Sequence, residues 1–355
     1  MKKVRFFIFV LPVFLFFGCG GNQQQQQESK GDEVSKADKE LLVQAQVMFK
    51  VLPTEAPNPE NTITEDKVKL GKILYYDNRL SKDETQSCNT CHNIATYGVD
   101  NLPTSPGDNG IPGTRNSPTV FNAAFKGAQF WDGRNKDVEE QAGGPILNPA
   151  EMAIPNEQFL IDRLEKVDLY QNLFTEAYPN EQEPITYTNI RNAIGAFERT
   201  LITPSAFDVY LAGDVNALNK QEKAGLKTFI NQGCIACHTG SLLGGNMLQK
   251  FALFGDYWEH TGSKTIDYGK FEDTKIESDK LMFYVPMLRN IDKTGPYFHD
   301  GSVADLGRSI WIMGKTQLNK DLSEKQIDDM VAFMGTLTGD TPVDAVIIPV
   351  ELVQK

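Results

Sequence analysis

Two five-residue motifs, Cys88-Asn89-Thr90-Cys91-His92 and Cys234-Ile235-Ala236-Cys237-His238, take up four of the five cysteines in this 355-residue chain. Thiols at this spacing stand about one helical turn apart. Both can therefore form thioethers with the vinyl groups of one porphyrin, and the next residue carries its imidazole to the iron. Each motif predicts a covalently attached c-type haem, with His92 and His238 as the proximal ligands. A zinc site could be assembled from the same residue types, but the further pair of histidines at zinc-finger spacing is missing.

Apolar residues recur at helical spacing in 39–50, 65–76, 156–177, 187–201, 219–232 and 323–337, and no long alternating strand pattern competes with them. The fold class is therefore mainly α. Glycine- and proline-rich stretches at 98–118, 143–149 and 239–246 read as ordered loops. Such loops need a surface to pack on, and a haem supplies a large apolar one. An amphipathic segment precedes each motif, 65–76 the first and 219–232 the second, a weak internal duplication that implies two haem domains in tandem.

Lys2, Lys3 and Arg5 precede an unbroken apolar run from Phe6 to Phe17. That pattern reads as a signal peptide over 1–18, and the run is too short to span a bilayer. Cys19, between Gly18 and Gly20, resembles the acylated cysteine of a bacterial lipoprotein, although Phe16 and Phe17 depart from the usual residues there. Residues 19–40, rich in Gln and other polar types, read as a flexible tether. This places the protein in the periplasm, anchored to a bacterial membrane through its N-terminal lipid only. Net charge is −12, or −15 once Lys2, Lys3 and Arg5 are removed. Nucleic acid is excluded as a partner on this balance.

With His92 and His238 assigned, only His260 and His299 remain as imidazoles. Further axial ligands must otherwise come from methionine or from nothing. A thioether favours electron transfer, and an open position lets a small molecule bind. Periodicity does not choose among Met247, Met282, Met287 and Met313.

The segments QFWDGR (129–134), EEQA (139–142), GPILNPAEM (144–152), AFERTLITP (196–204), FDVYLAGD (207–214), VPMLRNIDKTGPYFHDGS (285–302) and MGKTQL (313–318) resemble those of the bacterial dihaem cytochrome c peroxidases, over about residues 60–340. The resemblance implies two cytochrome-c-like domains packed together with long ordered loops. The first, 41–203, would be peroxidatic, and the second, 204–340, would receive electrons. The tail 341–355 would return to the first. It also implies reduction of hydrogen peroxide with electrons from a small periplasmic cytochrome c or copper protein, and it leaves a homodimer open.

Residue by residue, the resemblance implies Met313 as second ligand of the C-terminal haem and Trp131 as the aromatic between the haems. Glu151 would be the distal acid-base group, with Gln141 as its polar neighbour. Asn116, Thr294 and Pro296 match the ligands of a calcium ion between the domains. One departure stands out. Where the family carries a loop histidine that occupies the N-terminal iron at rest, this chain has Asp108 in SPGDNG (105–110). Two rival readings are an enzyme resembling the methylamine dehydrogenase maturation enzyme, which carries Tyr where this chain has Met313, and a dihaem electron carrier.

Overall fold

Helix starts are written into the side chains. Thr64 accepts a hydrogen bond from Lys67 N at 3.2 Å, and Glu65 and Asp66 sit against the positive end of the Glu65–Tyr76 helix. Asn219 and Glu222 form a reciprocal capping box at the start of Lys220–Gln232, and Ser323 and Gln326 do so for Glu324–Gly335. The computed structural model describes residues 35–353. The signal segment, Cys19 and the tether up to Val34 lie outside the described residues.

Two close helix crossings frame the two motifs. Glu65–Tyr76 packs on Tyr187–Glu198, where a Cβ on Gly71 would come within 1.8 Å of the Ala193 carbonyl oxygen. Lys220–Gln232 packs on Glu324–Gly335 in the same manner, a Cβ on Gly225 meeting the Asp329 carbonyl oxygen at 1.8 Å. At both positions only glycine lets the backbones approach so closely. The duplication faintly visible in sequence is thus repeated as architecture: a helix with a glycine contact, then CxxCH, then a later helix crossing over the first.

Leu70, Leu74, Ile190, Ile194, Phe197 and Phe174 fill the core around the first crossing. Edge-on rings of Phe49, Phe207, Phe229 and Phe333 fill that around the second. The segment after Met48 ties the two regions together. Leu52 N donates to Asp208 Oδ1 at 2.7 Å, Asp208 pairs with the fully buried Arg289, and Arg199, itself paired with Glu139, donates to the Ala56 carbonyl at 3.1 Å. Near the C-terminus Ala345 is buried in the first core, its carbonyl accepting from Tyr76 Oη at 2.8 Å.

Sheet content is confined to Leu248–Lys250 paired antiparallel with Met282–Tyr284 among the described residues, with Leu248 opposite Tyr284. No helix among these residues is long and apolar enough to cross a membrane.

Three sequence expectations need correction. The window 156–177 is two helices, Glu157–Leu164 and Asp168–Ala177, because Val167 is extended and begins a new N-terminus at Asp168. The stretch 143–149 is not all loop: Val138–Leu147 is helical through Gly143, Gly144 and Pro145. Here tertiary packing overrides propensity, since a Cβ at Gly143 would sit 2.4 Å from Arg191 Cδ. The Leu306–Leu318 helix, which carries Met313, was not among the expected helices.

Candidate active site and haem cavities

Each CxxCH motif forms one wall of a cavity. Cys88, Cys91 and His92 line the first, of about 1230 Å³, and Cys234, Cys237 and His238 line the second, of about 310 Å³. All four thiols are unpaired. Burial pushes the Cys91 and Cys234 thiols up to about 11, so they are held as neutral thiols inside these walls.

The two imidazoles are oriented in the same way. His92 Nδ1 lies 2.9 Å from the Pro118 carbonyl oxygen, and His238 Nδ1 lies 2.9 Å from that of Leu243. A carbonyl at Nδ1 fixes the tautomer with Nδ1–H and leaves Nε2 as the ligating lone pair. Burial lowers both imidazole pKa values, which keeps them in the neutral form a metal requires. Paired thiols and an oriented imidazole on one cavity wall fit a c-type haem at each motif. No group of three His, Cys, Asp or Glu side chains converges to hold a metal ion among the described residues, so the zinc alternative finds no support.

The rest of the two linings differs. The first cavity also holds Gln141, Glu151, Asn148 and Arg134. Glu151 Oε1 accepts from Asn148 Nδ2 at 2.8 Å. Burial raises the Glu151 pKa above the usual carboxylate value, with Arg134 and the Asn148 contact pulling the other way. A carboxyl so placed sits near its protonation midpoint at a higher pH than a surface glutamate, as an acid-base group should. The second cavity is walled by Phe229, Phe251, Phe283, Met287, Met330, Met334 and Met313. Of the four methionines weighed from sequence, Met287 and Met313 line it, whereas Met247 is exposed at the surface.

Trp131 lines both cavities. Its Nε1 donates to the Asn116 carbonyl at 2.9 Å, and its own carbonyl accepts from Tyr284 N at 2.7 Å. The adjacent Asp132 is locked by Arg115 at 2.6 Å and Arg134 at 2.8 Å, and Arg115 reaches on to Asp267. Asn116, Thr294 and Pro296 share the second cavity's wall. Asn116 Nδ2 donates to the Leu102 carbonyl, turning Oδ1 away from that contact.

Asp108 does not line the first cavity. Its carboxylate accepts from Asp83 N at 2.8 Å and from Thr85 Oγ1 at 2.5 Å. Although partial burial pushes its pKa up, these hydrogen bonds hold it below the usual value. His260 stacks edge-on with Trp311 and lines neither cavity, and His299 is boxed by Phe283, Tyr257 and Phe251 at the second.

The profile of the family described as di-haem cytochrome c peroxidase matches residues 65–216. The cytochrome c551 peroxidase of Pseudomonas aeruginosa is 45% identical over 303 residues, covering 84% of this chain and 86% of that protein. The chain belongs to the di-haem cytochrome c peroxidase family. The cytochrome c551 peroxidase of Nitrosomonas europaea is 42% identical, over 82% of this chain and 85% of its own. Among solved structures, the crystal structure of a MauG-like protein associated with microbial copper homeostasis superposes with a TM-score of 0.75 at 27% identity, covering 84% of this chain and 97% of that one. A di-haem family and two CxxCH walls together account for two haem c groups.

Two residues of this di-haem site escaped the sequence reading. Glu198, within the AFERTLITP segment, is buried on the wall of the first cavity, and burial, then Glu139, push its pKa up to about 8. Lys126 lines both cavities. Glu198 ends a helix whose buried face is apolar apart from Asn189, a signal that could have been used; nothing local marks Lys126.

Proposed function

We propose that this chain reduces hydrogen peroxide to water, H2O2 + 2 e⁻ + 2 H⁺ → 2 H2O, in the periplasm, taking its electrons from a small redox protein, either a cytochrome c or a copper protein. The observation that carries this reading is the contrast between the two cavities that share Trp131: the lining with His92 holds the Glu151 carboxyl and the Gln141 and Asn148 amides, and the lining with His238 is rich in methionines and aromatic rings.

Cys88, Cys91 and His92 would hold a haem that supplies the redox chemistry for cleaving peroxide. Glu151 takes the proton from the incoming peroxide and returns it to the departing oxygen, and Gln141 holds the bound oxygen by hydrogen bonding. Asn148 keeps the Glu151 carboxyl aimed at the cavity, and Arg134 favours its ionised form. On the second side His238 and Met313 would hold the other haem, a ligand pair that suits a centre of higher potential accepting electrons. Trp131 carries them across the shared wall.

The domain division goes with this reading: 41–203 with the returning tail 341–355 for peroxide, and 204–340 for electron entry. A calcium ion held by Asn116 Oδ1 and the carbonyls of Thr294 and Pro296 would brace the junction, an oxygen donor set suited to a hard cation. Cys19 would carry the lipid. Met313 weighs against the maturation-enzyme reading, which requires Tyr there.

The test is steady-state oxidation of a reduced small cytochrome by the mature two-haem protein on addition of peroxide. Saturable, peroxide-dependent oxidation is expected. A protein that exchanges electrons with the cytochrome yet leaves peroxide untouched is a carrier, and the proposal falls.

A further inference from the structure

Both arginines that line the cavities have acidic partners, Arg115 with Asp132 and Asp267 and Arg134 with Asp132, and Lys264, at the rim of the first, is exposed to solvent. Lys126 has none. Its ammonium takes part in no ion pair or hydrogen bond among the described residues, and it lies over the face of the Tyr284 ring, 5.9 Å from the centroid. Only burial bears on its pKa, lowering it to about 8 with no carboxylate to offset the loss of solvent.

This lysine is not a loose surface chain. It closes the Ala123–Phe125 turn, its N–H bonded to the Ala123 carbonyl at 3.0 Å. The next residue, Gly127, donates to the Gly245 carbonyl at 2.8 Å, and a Cβ there would lie 2.5 Å from Tyr284 Oη. Lys126 Cγ in turn lies 3.2 Å from where a Cβ on Gly245 would stand. The stem is wedged, and the ammonium is delivered to the wall that the two cavities share.

Lys126 is half-buried, and an ammonium partly withdrawn from water without a counter-charge is costly, so folds retain one where something of opposite charge completes it. What enters both cavities is a haem, and each haem carries two carboxylates. We propose that Lys126 is a counter-ion shared by carboxylates of the two haem groups, one fixed positive charge on the wall between them. The inference rests on both cavities holding haem, and it is independent of what reacts there. A positive charge close to each haem stabilises the form with one more electron, so it raises both potentials together.

The experiment is a spectroelectrochemical titration of the mature protein, without peroxide or donor, resolving the two haems by their visible spectra. Intact mass first confirms two haems in every variant. Lys126→Met is expected to lower the ferrous-to-ferric ratio of both haems, each by roughly tenfold at fixed applied potential. Lys126→Arg, which keeps the charge, is expected to restore both to within about threefold of the parent. Lys126→Gln replaces the Met variant if that one fails to mature. Unchanged potentials, a change confined to one haem, or an Arg variant that behaves like the Met variant overturns the shared counter-ion. Because no turnover enters the measurement, failure of the peroxidase reading leaves the result interpretable, and the reverse also holds.

Discussion

Asp108 and Glu151 are joined through the backbone, Asp108 N donating to the Glu151 carbonyl oxygen at 2.7 Å. The loop at the family's switch position is therefore fastened to the segment that presents the distal carboxyl. A Cβ on Gly107 would lie 2.2 Å from the Ala150 carbonyl oxygen, and the Pro106 carbonyl accepts from Gln86 Nε2 at 2.8 Å. With its carboxylate held by Asp83 and Thr85 and outside the lining of the first cavity, Asp108 is not placed to close the first site.

It follows that the fully oxidised protein is ready to react. A high-spin ferric signal is expected at rest, together with a spectral change on one equivalent of peroxide before any donor is added. A wholly low-spin oxidised spectrum, or a strict need for prior reduction, would point to an unrecognised ligand. Asp108→His should move the resting spectrum toward low spin.

Replacing Glu151 by Ala should slow peroxide turnover by about 10²-fold or more while both haems stay attached. The pH profile gives the sign. As a proton acceptor Glu151 is lost on protonation, so the acid limb of the rate profile should fall above the ordinary glutamate value of 4.5, because burial raises its pKa. In Glu151→Gln that limb should disappear from what activity is left. A near-normal rate would return Glu151 to a structural role.

Met313→His should lower the potential of the second haem and slow donor-driven turnover, because a thioether favours the ferrous state more than an imidazole does. An unaltered redox titration would hand the ligand role to another methionine on that wall, Met287 first.

Glu198 makes folding sensitive to pH. Its pKa is raised from 4.5 to about 8 in the fold, so the folded state holds the proton more tightly than the unfolded chain. That contribution is complete below about pH 4.5 and is lost as pH climbs through 8. Glu198→Gln should therefore melt progressively higher than the parent between pH 6 and 9, with the difference closing toward pH 5. Parallel melting curves at all these values would show the carboxyl to be solvated.

Much of this was legible in the chain because the signals are local. The windows at 65–76, 187–201, 219–232 and 323–337 carry their periodicity and their caps in sequence, and the helices begin within a residue of them. The Val138–Leu147 helix was read in part as loop because Gly143, Gly144 and Pro145 are breakers by propensity, and only the crowding by Arg191 explains the glycine. Leu306–Leu318 is not marked by the sequence windows because its apolar residues are not confined to one stripe: Ile310 and Met313 line a cavity while Ile312 is buried in protein. Gln141 and Glu151 could be named from their motifs. Lys126 could not, since its meaning lies in what it faces, and Glu198 is marked only as the carboxyl that ends a largely apolar helix face.

Consumption of peroxide in the first cavity with electrons delivered through the second is tested by counting the reduced donor cytochrome oxidised per peroxide, with peroxide limiting and the mature two-haem protein in catalytic amount. Two equivalents of donor per peroxide are predicted, at a rate that falls sharply in both Glu151→Ala and Met313→His. Donor that stays reduced, or oxidation at the same rate in both variants, would contradict it.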